Sequence, residues 1–333
     1  MDAKITKQRL SRMLSYDWVK IVLSIVGLIL VWALVFSITS TKITSSQQFT
    51  VYNYIGNRGV SDSKYYTSYD KAYKDGIFSY EVIETDTYDL AATPDYASTL
   101  LEAHLGVDEG DVIFAANTWN TETKYEENGE TKYKYTYLQQ FVSGYRHQLY
   151  TLDRNAEGSF FMELQNYLNT FYNGDYTKAE NLDEAKVERE FRARIKKNKD
   201  KRFRKESLIK AGIPEEIERI KKYRDALVEY DGYLASGYIQ TTNIEIVDNE
   251  NKVVAEGIYG LNLCPTAAKD KMSKLSDIVS YPMSYQNEDG QTETVYTAEN
   301  MNVCLFKMKS VEKGFQFESL LYVNYLIRTC LAA

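Results

Sequence analysis

Apolar residues fall into three patterns along the chain. The first is an unbroken run from Trp18 to Thr39, with no charged residue between Ile21 and Ile38. Those eighteen residues approach the ~20 that cross a bilayer's hydrocarbon core as a helix. Backbone groups in lipid must pair internally, so a helix is expected there. The second pattern is short, β-rich and alternating or continuously apolar. It predicts strands at Phe49–Ile55, at Phe78–Leu90 with Val82 and Ile83 at its centre, and at 111–116. The third has helical spacing. It predicts helices at Ser68–Lys74, Pro94–Leu105, Tyr137–Leu149 and Ser159–Tyr172, with Ser159 as a cap. Strand, helix, strand, helix, strand argues for a parallel sheet with crossover helices, an α/β fold.

Between Leu182 and Leu234 the pattern stays helical but turns charged. Gly212-Ile213-Pro214 predicts a break there, with Pro214, Glu215 and Glu216 opening a second helix, so the stretch reads as a helical hairpin. Strands return at Ile239–Val247, Lys252–Ala255 and 257–265, then at Val303–Met308. Tyr281–Val295 reads as loops, Glu122–Lys134 as a loop or hairpin, and Gly314–Leu331 as a closing helix.

Charge gives the first run an orientation. Lys4, Lys7, Arg9, Arg12 and Lys20 precede or open it, and Lys42 alone follows before Arg58. The positive-inside rule places the N-terminus in the cytoplasm and the rest outside. A cleaved signal peptide is the alternative. The apolar stretch is longer than a usual signal core, and Ser37-Ile38-Thr39-Ser40-Thr41 is a poor cleavage site. The expected division is a cytoplasmic segment 1–17, a transmembrane helix 18–39 contacting the lipid bilayer and a spacer 40–48. An α/β lobe follows from 49–150 and 255–333, interrupted by a helical insert at 151–254.

The 333 residues carry a formal charge of −7, unevenly spread. Residues 178–230 hold 17 basic and 12 acidic side chains, and 1–20 hold five and two. The remainder holds 18 basic against 33 acidic, a net of −15. Acidic bulk outside the membrane argues against nucleic acid as a partner. Nine basic residues lie between Arg192 and Lys205, against Asp200 alone. This run is either a solvated helix face or a contact for anionic headgroups, wall polymers or the chain's own acidic body. Cys264, Cys304 and Cys330 are either buried thiols or include a Cys264–Cys304 disulfide.

The order of the outer region resembles the extracytoplasmic solute-binding proteins of ABC transporters, the sugar-binding class most closely. The resemblance rests on the opening strand Phe49–Ile55, on Gly110-Asp111-Val112-Ile113-Phe114-Ala115 after an acidic turn, on Gly257-Ile258-Tyr259-Gly260-Leu261-Asn262, and on the closing strand and helix from Val303 to Leu331. It spans residues 49–150 and 255–331. The chain departs from that family in its transmembrane anchor and in charged helices where a second lobe is expected. The layout is similar to the membrane-anchored, solute-binding-like proteins of clostridia and related Gram-positive bacteria. The resemblance implies recognition rather than catalysis, of a carbohydrate or of an ABC transporter. A scaffold or assembly factor of the cell envelope is the alternative.

Ligands of open α/β sheets bind beyond the carboxyl ends of the strands. That rule selects Asn53 and Tyr54 after the first strand, and Asn117, Trp119 and Asn120 after the third. Trp119 suits stacking on a sugar ring, while the Asn side chains suit its hydroxyls. Tyr259 and Asn262 are candidates to line the same cleft. The alternative is a structural Trp with loop-capping Asn residues. His104 and His147 lack partners at metal spacing, no nucleotide, zinc-protease or serine-hydrolase motif occurs, and no cofactor is expected.

Overall fold

In a computed structural model the chain is described over residues 7–39, 44–58, 74–248, 252–286, 290–308 and 314–331. Its secondary structure is mixed α/β. Two compact units are present, 1–44 and 45–333. The first holds helix α1 (Lys7–Thr39). Within it, Trp18–Phe36 has a mean hydropathy of 2.7 and no residue buried inside the structure. That length and composition are shared by membrane anchors and signal sequences.

The second unit is built on a six-stranded sheet. Its strands are β1 (Gln48–Asn53), β2 (Glu84–Asp89), β3 (Val112–Ala116), β6 (Gln240–Val247), β7 (Val253–Asn262) and β10 (Met301–Leu305), ordered β2-β1-β3-β10-β7-β6. The first three pair in parallel, as the alternation predicts, with Val51 beside Val112 and Thr87. The other three are antiparallel to their neighbours, so the sheet is mixed.

Each sheet face carries its own helices. Val112, Phe114, Val303 and Leu261 point to the larger core, covered by α4 (Phe160–Phe171), α6 (Glu206–Ala235) and α7 (Glu318–Cys330). Ile113, Ala115, Cys304 and Ile244 point to the smaller core, covered by α2 (Ala97–Gly106) and α3 (Tyr137–Tyr145). The predicted helical insert thus supplies one layer of the main core. Caps fix two of these starts: Ser159 accepts the Met162 N–H at 3.3 Å and Thr136 accepts the Gln139 N–H at 3.1 Å.

Several expectations change. Phe78–Ile83 is not strand, and β2 begins only at Glu84. The helix at Ser68–Lys74 lies outside the described residues except Lys74, as do parts of the turns at 248–251 and 287–290. Tyr281–Val295 contains a hairpin, β8 (Tyr281–Gln286) with β9 (Thr292–Thr297); both faces are polar or exposed, which hid its pattern. Residues 122–134 form the second hairpin, β4 (Lys124–Glu127) with β5 (Glu130–Tyr133).

The charged hairpin breaks in a different place. Helix α5 (Glu184–Asn198) ends at Lys199, which is left-handed at φ 53, and α6 then runs straight through Pro214. Pro214 forfeits one backbone bond to Lys210. The helix persists because Glu216, Arg219, Ile220, Tyr223 and Tyr230 on its buried face are held by the core. Gly212 is a packing site: a Cβ there would lie 2.9 Å from the Phe191 ring, and the Phe191 and Phe203 rings meet edge to face at 5.1 Å beside it.

Candidate functional site

The carboxyl ends of β1, β3 and β7 lie at one end of the sheet, and with them Asn53, Asn117 and Asn262. All three are tied to the protein itself. Asn53 is fully buried; its amide donates to Asp89 at 2.9 Å and its carbonyl accepts from Asn57 at 3.0 Å. Asn57 also donates to the Phe114 carbonyl at 3.1 Å, leaving its own Oδ1 buried with no partner among the described residues. The Tyr137 ring covers the turn so closely that only a glycine fits at Gly56, where φ is +88. Tyr54 is buried against Phe141, ring centroids 4.9 Å apart.

Asn117 donates its backbone N–H to the Asn300 carbonyl at 3.0 Å. Asn262 donates to the Asn300 side chain at 3.0 Å and accepts from the Cys264 N–H. Asn302 joins them, donating to the Asn300 carbonyl and accepting from the Thr242 hydroxyl. Asn120 is buried, caps a short turn through the Glu122 N–H and donates to Gln140 at 2.6 Å. Tyr259 is half-buried against the smaller core. Of the seven predicted residues, Trp119 is the one well exposed, at 54%, with its ring stacked on Tyr133 at 6.3 Å.

A second locus escaped the sequence reading. Between α4, α5 and the start of α6 lies a cavity of about 430 Å³, lined by Tyr167, Thr170, Phe171, Glu190, Ala193, Arg194, Lys197, Asn198 and Glu216. Its inner wall is a charged network. Glu216 receives both forks of Arg194 at 3.1 Å, Nη2 of Arg219 at 2.5 Å and the Tyr80 hydroxyl at 2.7 Å. Arg219 is fully buried and also donates to the Tyr167 hydroxyl at 2.8 Å and the Gly314 carbonyl at 3.1 Å. Both guanidiniums lie over the Phe315 ring, at 4.7 and 4.5 Å. Burial alone would raise the Glu216 pKa, but Arg219 and Arg194 hold it down at about 2. The clue was the spacing: Glu216 and Arg219 stand on the α6 face that carries Tyr223 and Tyr230, where a solvated charge would not stand.

Alongside this network, Arg202 reaches Glu81 at 2.9 Å, and Glu318 accepts from the Ser79 N–H and hydroxyl and from Tyr223. The wall therefore draws on five separate chain segments. The three cysteines are buried free thiols, and burial raises the pKa of each, Cys264 to about 11. Among the described residues no group of three or more His, Cys, Asp or Glu is placed to hold a metal. Chemically, the cavity offers two cations (Arg194 and Lys197), two acids (Glu190 and Glu216) and hydroxyl or amide groups beside the apolar faces of Phe171 and Tyr167. Compared with protein-family models, with curated proteins and with solved structures, the chain matches none.

Proposed function

We propose that the chain is a recognition protein anchored in a membrane by α1, with residues 45–333 on the extracytoplasmic side, that binds a solute without transforming it. The solute-binding-like lobe and a role beside an ABC transporter belong to this reading. The observation that supports it best is the cavity at α4, α5 and α6. Its volume, about 430 Å³, falls within the range of small-molecule sites, and a fixed wall of paired charges borders it. The exposed Trp119 indole adds a face on which a sugar ring can stack.

Thermal unfolding of the full chain in detergent, with sugars, oligosaccharides, peptides and small anions, tests this. A native-state ligand at a hundred times its Kd stabilises by about 2.7 kcal/mol, so a reproducible rise in Tm is expected. A flat response across the panel would count against solute capture. Protease access in sealed membrane vesicles tests the orientation; digestion of residues 45–333 only from the cytoplasmic face would overturn it.

A scaffold role is the second reading, supported by the β8–β9 hairpin. Met283, Tyr285, Val295 and Tyr296 are exposed on it. A two-stranded hairpin is marginal without further packing, which a partner would provide. Photocrosslinking from position 285 in membranes tests it, and capture of lipid alone would sink it.

A further inference from the structure

The nine basic residues of 192–205 divide into two groups. Arg192, Arg194 and Arg202 are committed to Glu188 and Glu206, to Glu216, and to Glu81 and Asp200. Lys196, Lys197, Lys199, Lys201, Arg204 and Lys205 are exposed and have no acidic partner among the described residues. Helix electrostatics accounts for Lys196 and Lys197, which sit in the last turn of α5 beside its negative dipole end. It does not account for the other four, which lie in the link between α5 and α6. Four like charges within seven residues carry a repulsion that salt screens only in part. An anion with several charges relieves that repulsion.

We infer that the α5–α6 tip and the mouth of the adjoining cavity bind a linear polyanion carrying phosphate groups, one unit of which enters the mouth at Lys197, clear of the Glu216 wall that Arg194 already neutralises. This deepens the recognition reading and rests on it for the cavity. Three observations select this partner. Five of the six cations without an acidic partner are lysines, compact charges on flexible stems that can follow the phosphate oxygens of a chain without a fixed fork geometry. Lys197 belongs both to the free cations and to the cavity wall, so the charged surface continues into a recess that Thr170 and Asn198 also line. A flat bilayer surface cannot enter such a recess. The tip also lacks an aromatic side chain to insert into lipid, because Phe203 packs on Phe191; Leu208 is the nearest exposed large apolar residue.

The test uses the full chain in nanodiscs of phosphatidylcholine, with fluorescent polyphosphate as the probe. Binding is expected to weaken steeply with salt, by counterion release. The triple variant Lys197→Ala, Lys201→Ala, Lys205→Ala is expected to lose about tenfold or more in affinity, with a salt slope shallower by about two to three. A control triple, Lys124→Ala, Lys134→Ala, Lys252→Ala, takes away as much charge elsewhere and is expected to change little. Ala193→Trp, which fills the exposed mouth of the cavity, is expected to weaken binding severalfold. The proposal is overturned if polyphosphate does not bind, if the two triples behave alike, or if Ala193→Trp has no effect. Two further results would overturn it: binding only to phosphatidylglycerol vesicles, and loss of self-association instead of polyphosphate binding in the lysine variant. A rise in Tm with a neutral sugar, without polyphosphate binding, would overturn this inference and leave the recognition reading standing.

Discussion

At the strand ends the buried polar side chains are neutral amides, and each closes on a neighbour from the same turn or the adjacent strand. In the helical layer they are full charges, and their partners come from α4, α5, α6, the segment around Tyr80 and the segment around Gly314. An amide has few groups to satisfy, so Asn53 and Asn57, with the Asp89 carboxylate, fill the crevice and leave only the Asn57 Oδ1 without a partner among the described residues. A guanidinium carries five donors, and Arg219 finds acceptors only where several segments converge. Convergence of thick helices leaves a recess beside the network, whereas the amides leave none. The end of the sheet where a ligand is expected by topology is therefore filled, and the room lies among the helices.

The largest way to break this contrast is Glu216→Ala. It leaves Arg219 buried and unpaired beside Arg194, and a loss of about 3–5 kcal/mol is expected in urea unfolding. A loss below about 1 kcal/mol would mean that water reaches the network. At the strand ends, Asn53→Ala leaves the Asn57 amide without one acceptor, and a smaller loss of about 1–3 kcal/mol is expected.

Acidity sharpens the comparison, because Asp111, just before β3, is a desolvated carboxyl with no ion-pair partner among the described residues. Desolvation pushes Asp111 up from 3.8 to about 7, offset in part by the Thr50 N–H at 2.8 Å. Native Asp111 holds its proton where the unfolded chain has lost it, so its contribution is complete below about pH 4 and disappears as pH rises toward 7. The slope is at most about 1.4 kcal/mol per pH unit, and Asp111→Asn is expected to remove it from unfolding curves across that window. Glu216 has the opposite sign: its contribution is present above the ordinary value of 4.5 and is lost as pH falls through about 2. The smallest effect expected is at Lys199, the left-handed end of α5. Lys199→Gly relieves the Cβ clash and is expected to raise stability by about 0.5–1 kcal/mol, read from the urea midpoint.

Much of the fold was legible from residue spacing. The run Ile21–Ile38, the strands β1 and β3 and the capped helix after Ser159 declare themselves because one physical requirement dominates each. The continuity of α6 through Pro214, where a break was expected, was not legible, because a proline's local cost is outweighed by core contacts further along the helix. The β8–β9 hairpin was hidden by its two exposed faces. The charged network was missed because Glu216 was read as opening a helix after Pro214, and Arg219 stands in a stretch so rich in charge that it drew no notice. Their spacing with Tyr223 and Tyr230 was the one signal of burial, and it takes the full length of α6 to show it. The strand-end candidates were placed at the expected end of the sheet, but the hydrogen bonds that engage them run to Asn57, Asn300 and Asn302, beyond any local pattern.

The position of β10 bears on how the domain is made. Strand β3 is flanked by β1, which precedes it closely, and by β10, about 190 residues later. During synthesis, the open side of β3 must wait for nearly the whole domain to emerge. Its apolar row of Val112, Phe114 and Ala116 and its unpaired backbone stay available to other chains for that interval. Holding factors that shield nascent strands are therefore expected to raise the yield of this protein.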